Sequence, residues 1–149
     1  MRPVSGKLQH AEITEQVLRA FYEVYNELGH GFLEKVYENA LAMALRARGL
    51  SVQQQAPVSV RFRGELVGEY YADLLVNNVV VLEVKAARAF EPAHRAQLLH
   101  YLAATEVEVG LLLNFGQRPE FKRLAFGNER KKRAGSTVRG QQREGPPGA

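Results

Sequence analysis

The order in which hydrophobic periodicity changes along the chain predicts an α/β domain, a mixed central β-sheet flanked by helices in the order α-α-β-β-β-α-β. Three features point to it. Two amphipathic helical patterns open the chain, strand-like alternation replaces them from Val58, and beyond a third helical stretch the run GLLLNF reads as a strand buried on both faces.

From His10 to Leu28, the apolar residues Ile13, Val17, Phe21, Val24 and Leu28 recur at spacings of three and four, and Gly29 and Gly31 end the helix they imply. A second helical pattern starts at Phe32, places Leu33, Val36, Ala40, Leu41, Ala44 and Leu45 inward, and stops at Gly49. The period then becomes two. Val58, Val60 and Phe62 alternate with Ser59, Arg61 and Arg63 before Gly64 and Glu65 punctuate the strand. Leu66 to Val76 and Val79 to Ala86 read as two further strands around Asn77-Asn78, residues that tolerate positive φ in a hairpin turn. Pro92 suits a first helical turn, Ala93 to Thr105 reads as a third helix, and Val107 to Phe115 as a buried strand. A short element from Glu120 to Phe126 closes the core.

The chain has 149 residues, 46% of them hydrophobic, which suits one soluble globular domain and excludes a multidomain enzyme. No run of 18 apolar residues occurs, and MRPVSGKLQH carries no apolar h-region, so neither a membrane span nor a secretory signal is expected and the location read from the sequence is cytoplasmic. With no cysteine there is no disulfide framework and no thiolate zinc site, so any metal is expected to be held by oxygen. The formal net charge of +4 is local. It is the balance of Arg130, Lys131, Lys132, Arg133, Arg139 and Arg143 against Glu129 and Glu144, and the residues before Gly127 are neutral overall. The domain is therefore expected to occupy residues 1–126, and the Gly-, Pro-, Gln- and Arg-rich residues 127–149 to form a disordered basic tail, a solubilising extension or a loose hold on a polyanion.

Burial also selects a register for the hairpin. With a plain two-residue turn, Leu82 would oppose Asp73 and the apolar faces would mix. One step of register opposes Leu74 to Leu82, Val76 to Val80 and Ala72 to Val84 on an apolar side, and Asp73 to Glu83 and Tyr71 to Lys85 on the other, at the cost of an odd loop or bulge by the asparagines. Two opposed carboxylates repel, so a fold places them together only with a compensating cation or the lysine.

Asp73 followed by Glu83-Val84-Lys85 is thus a D…ExK arrangement, with two hard oxygen ligands for Mg²⁺ and an amine two positions along the same face to hold or help deprotonate an attacking water. The bland alternative is a charged strand end with an exposed salt bridge. Glu34, three residues after Gly31, answers either a helix-capping role or a third acid reaching toward Asp73 and Glu83. Gln97 and Tyr101 share a helix face, with His94 three residues earlier; they read either as a polar flank or as hydrogen-bonding contacts to a nucleic-acid backbone or base.

The segments GHGFLEKVYENAL, GEYYADLLV, VVVLEVKA, HRAQLLHYLAAT and VGLLLNFG closely resemble the GxxExxY protein family, a group of the PD-(D/E)XK nuclease superfamily, over about residues 10 to 126. The order of helix glutamate, aspartate, Glu-x-Lys and Gln-x-x-x-Tyr is similar to that of the RecB-like exonuclease branch. The resemblance implies a restriction-endonuclease-like core, assigns Glu34, Asp73 and Glu83 to a metal, Lys85 to catalysis, and Gln97 and Tyr101 to support of the site and substrate. The expectation is a nuclease that hydrolyses phosphodiester bonds, DNA preferred, using Mg²⁺ or Mn²⁺ on Asp73, Glu83, the Val84 carbonyl and Glu34, with His94, Gln97 and Tyr101 toward the substrate. The alternative is a binding or assembly module that keeps the nuclease fold without turnover, favoured by the neutral core.

Overall fold

A computed structural model describes residues 10–133 of the chain. Helices α1 (Ala11–Leu28) and α2 (Glu34–Ala47) precede strands β1 (Val52–Phe62), β2 (Glu65–Val76) and β3 (Val80–Lys85). Helix α3 (Pro92–Ala104) crosses to β4 (Val109–Phe115), followed by β5 (Pro119–Ala125) and the short helix α4 (Asn128–Arg133). The strands lie in chain order in one sheet, with β3 and β4 parallel and the other neighbours antiparallel. This is the mixed, helix-flanked sheet expected from the periodicity.

The strands that take helices on both faces are the ones with unbroken apolar runs, since a strand covered on both sides has no polar face. All seven residues of β4 are buried, and so are five of the six in β3. Above the sheet, α1 and α2 deliver Val17, Phe21, Tyr37, Leu41 and Leu45 onto Leu74, Leu82, Leu111 and Leu113. Below it, α3 delivers Leu98, Tyr101 and Leu102 onto Leu75, Val81 and Leu112. Gly110 permits that second contact, because a Cβ there would lie 2.9 Å from Leu98 Cδ1 and 3.0 Å from Val81 Cγ1.

Next to the turn the hairpin adopts the register that burial selects, with Leu74 facing Leu82, Leu75 facing Val81 and Val76 facing Val80; the expected pairs Ala72–Val84, Asp73–Glu83 and Tyr71–Lys85 lie beyond the end of the ladder, and Ala72 and Val84 pack on opposite sides of the sheet. Asn77 (φ 50°) and Asn78 (φ 59°) are left-handed and Val79 is the third loop residue, its N–H donating to Val76 O at 3.0 Å, which supplies the odd loop. The apolar side expected from Tyr70 to Val76 does not run through, however. Leu74 and Val76 pack with α1 and α2, whereas Tyr70 and Ala72 pack toward α3, so β2 turns over at Asp73, opposite a β1 residue, Gln55, in the left-handed region (φ 54°).

Three further boundaries differ from expectation. Strand β1 begins at Val52 rather than Val58; as an edge strand it is only half covered, so Gln53, Gln55 and Pro57 fit it. Helix α2 begins at Glu34, leaving Phe32 and Leu33 outside it, and its buried side is Tyr37, Glu38, Leu41, Ala42 and Leu45 rather than the row through Leu33 and Val36, which are exposed. The folded part also continues past Phe126. Asn128 N–H donates to Glu108 Oε2 at 2.6 Å and Lys131 Nζ donates to the carbonyls of Thr105 and Val107, each at 2.8 Å, tying α4 to the turn before β4. The rest of the expected tail, residues 134–149, lies outside the described residues.

Candidate active site

Beyond the Leu74–Leu82 pair the β2–β3 ladder ends, and a side chain takes over a backbone role: Val84 N–H donates to Asp73 Oδ2 at 2.7 Å. That bond fixes the Asp73 carboxyl between two elements. Glu83, next along β3, lies on the α3 side of the sheet, level with Leu112 of β4, and is 4% exposed. Burial first, and then the neighbouring Asp73 charge, push the Glu83 carboxyl up to about 8. Burial also raises Asp73, partly offset by the Val84 N–H, and the carboxyl of Glu38 adds to the rise. Lys85, half-buried at the end of the strand, opposes both shifts with its positive charge. Asp73, Glu83 and Lys85 therefore converge.

Glu38 is the acid that sequence reasoning missed. It is 4% exposed, and its carboxyl accepts hydrogen bonds from Gln54 Nε2 and Gln55 Nε2, both at 2.9 Å, with Lys35 Nζ at 3.3 Å. Gln55 Nε2 also reaches Asp73 Oδ1 at 3.5 Å, linking the two acids. The available signal was the spacing of four from Glu34, which puts both glutamates on one side of the helix. Asn114 was missed as well. Fully buried, it grips the Ala87 backbone with both ends of its amide, accepting from N and donating to O at 2.9 Å each, and so holds the chain just after Lys85.

The other predicted residues are placed less centrally. Glu34 is exposed and its Oε2 accepts from Ala86 N–H at 3.3 Å, capping the end of β3 beside Lys85. Val84 meets Asp73 through its N–H. His94 Nδ1 accepts Glu91 N–H at 3.1 Å in the capping box of α3, and Gln97 is exposed on the same helix. Tyr101 is fully buried, its ring edge-on to Tyr70 at 6.3 Å, and among the described residues neither hydroxyl has a partner. Burial raises both phenols, Tyr70 to about 12, and the Glu83 charge adds to the rise in each.

Among the described residues, no three His, Cys, Asp or Glu side chains form a ligand cluster for a metal ion. Two do meet, and their chemistry suits a hard divalent cation: carboxylate oxygens held together against their own repulsion, a cost that a cation between them removes.

A mixed sheet with α1 and α2 on one face, α3 on the other, and a D…ExK set at the end of its central hairpin defines a nuclease-type fold. The family model of the PD-(D/E)XK nuclease superfamily matches residues 11–124, and the chain belongs to that superfamily. The crystal structure of SSO0001 is similar, with a TM-score of 0.51 at 19% identity over 85% of this chain and 65% of that one, a likeness of fold. Comparison with curated proteins gives no match. Nucleases of this superfamily generally use divalent metals, and nucleic acid is the substrate the family implies. No helix among the described residues is long and apolar enough to cross a membrane.

Proposed function

We propose that the protein is a metal-dependent nuclease of the GxxExxY group, with a RecB-like motif order, that hydrolyses phosphodiester bonds, with DNA the preferred substrate. The observation that carries this reading is the half-buried Asp73, held by the Val84 N–H at 2.7 Å, against the buried Glu83 carboxyl with Lys85 beside them. Asp73, Glu83 and the Val84 carbonyl would hold Mg²⁺ or Mn²⁺, with Glu34 and Glu38 at the margin, and the ion would stabilise negative charge developing on the phosphoryl oxygens. Lys85 would hold the attacking water in line with the phosphorus; as the water oxygen bonds to phosphorus, the P–O bond to the leaving sugar oxygen breaks, the water's proton passes to solvent and the leaving oxygen takes up a proton from solvent. Asn114 keeps the backbone behind Lys85 in place. Gln97 and His94, on α3, contact the substrate backbone, and the Tyr101 ring packs on the same side of the sheet as Glu83.

The test is cleavage of linear and single-stranded DNA in Mn²⁺, together with the rise in melting temperature that the ion gives a protein that binds it. Lys85→Ala is expected to stop cleavage while leaving most of the metal-dependent rise. Equal cleavage by both proteins would trace the activity to a contaminant. A rise without cleavage in either would leave the second reading, a nuclease-fold binding module.

A further inference from the structure

The nuclease reading leaves a group of exposed apolar side chains unused. Leu33 is 80% exposed, Phe32 48% and Val36 41%, and all three lie where the α1–α2 connection enters α2. Apolar tips on a loose loop need no explanation, but this loop is fixed. The Tyr37 hydroxyl donates to Gly29 O at 2.6 Å and accepts Phe32 N–H at 3.2 Å, while its ring stacks on Phe115 at 4.3 Å and 12°. Gly29 (φ 69°) and Gly31 (φ 114°) take the left-handed turns that let the segment double back. A backbone held this firmly that still points hydrocarbon at solvent is built to meet something.

Its position says what. Glu34, the next residue, accepts Ala86 N–H at 3.3 Å, so the apolar tip stands beside the residue that follows Lys85. Lys35, next to Glu34 in the first turn of α2, is exposed and reaches Glu38 Oε2 at 3.3 Å, and Arg88, two residues past Ala86, is exposed as well. Hydrocarbon with cations around it, next to a phosphodiester-cleaving centre, matches a strand whose bases are free: phosphates lie along the cations and an unstacked base lies on a ring. In a duplex the base faces are already covered by their neighbours.

Resting on the nuclease reading, we propose that Phe32 and Leu33 form a platform on which a base of an unpaired nucleic-acid strand stacks, so that the substrate class is single-stranded or locally unpaired ends rather than intact duplex. Affinity for labelled oligo(dT) and for a blunt hairpin duplex, measured by fluorescence anisotropy in EDTA, tests this without cleavage. Phe32→Ala and Leu33→Ser are each expected to weaken oligo(dT) binding, Phe32→Ala by at least about fivefold, the low end for one lost base–aromatic stack, with hairpin binding little changed. Phe32→Tyr should keep it. Leu33, so exposed, serves as the variant that cannot fail by unfolding. Unchanged oligo(dT) affinity in both loop variants, or an equal loss on hairpin and single strand, overturns the platform and leaves the patch to a protein partner. Failure of the nuclease reading is visible separately, as no Mn²⁺-dependent cleavage by the wild type, and does not alter the binding result.

Discussion

The two faces of the sheet are built from the same strands and behave as different materials. On the α1–α2 face, hydrocarbon from both helices meets hydrocarbon from β2, β3 and β4, and the fully buried Tyr37 hydroxyl in it has two partners. On the α3 face, the same strands present Glu83 to two phenols that have no partner among the described residues. A fold that can satisfy a buried hydroxyl on one side and does not on the other has separated its tasks: one face stabilises, the other keeps polar groups under tension where chemistry is proposed.

Neighbouring leucines of β4 allow the largest test of that division. Leu111 points to the α1–α2 face and Leu112 to the α3 face, and both are fully buried. Leu111→Ala is expected to cost about 2–5 kcal/mol in urea unfolding, since two helices and a sheet cannot collapse onto the space left. Leu112→Ala should fall toward the lower end of that range and do something Leu111→Ala does not: admit water beside Glu83 and bring its carboxyl back toward the usual range. Equal losses, with the Glu83 titration unmoved in both by carboxyl-carbon NMR, would show the faces to be alike.

The same division explains what was legible in the sequence. Strands β3 and β4 could be read because burial on both sides leaves runs with hardly any polar residue, and the hairpin register because only one pairing keeps Leu74, Leu82, Val76 and Val80 together. That register in turn brought Asp73 and Glu83 together. What could not be read depended on polar groups being buried in company. Glu38 looks like surface in a one-dimensional pattern; it is inside because Gln54 and Gln55, on a strand whose start their polarity concealed, supply amide partners. Counting Leu33 and Val36 as core rotated α2 away from its true inner side and hid that acid, although both residues are exposed. The turn-over of β2 at Asp73 was equally silent, since alternation assumes a ladder that continues, and here a carboxylate ends it.

The acidic pair predicts a pH dependence of moderate size. Glu83 sits at about 8 in the folded protein against an ordinary value near 4.5, so the native state binds its proton more tightly than the unfolded chain does. For a raised carboxyl, the contribution is complete below the unfolded value and is lost as pH rises through the folded one. Metal-free protein should therefore lose stability steadily between about pH 4.5 and about pH 8, with Asp73, also raised, adding in the same sense. Urea midpoints across that range should fall for the wild type and stay flatter for Glu83→Gln. Mg²⁺ should restore more at the alkaline end, because the pair must be ionised to bind it. A midpoint that climbs with pH in wild type and variant alike would mean that Glu83 is solvated like any surface acid.

The smallest effect is the most discriminating. A buried hydroxyl without a partner costs about 1–3 kcal/mol relative to one that is bonded, so removing it should not destabilise. Tyr101→Phe and Tyr70→Phe keep the edge-on ring contact at 6.3 Å and delete only the oxygens. Each is expected to leave the melting temperature unchanged or raise it by a few degrees, the shift that about 1 kcal/mol gives a domain of this size. Tyr37→Phe on the opposite face removes a hydroxyl with two bonds, at 2.6 and 3.2 Å, and should lower it. Opposite signs for one chemical change, made on the two sides of a single sheet, would establish that polar satisfaction was kept on the stabilising face and given up beneath Glu83. A loss from Tyr101→Phe as large as that from Tyr37→Phe would instead mean that its hydroxyl is bonded after all, and the α3 face would be a second core rather than the floor of a site.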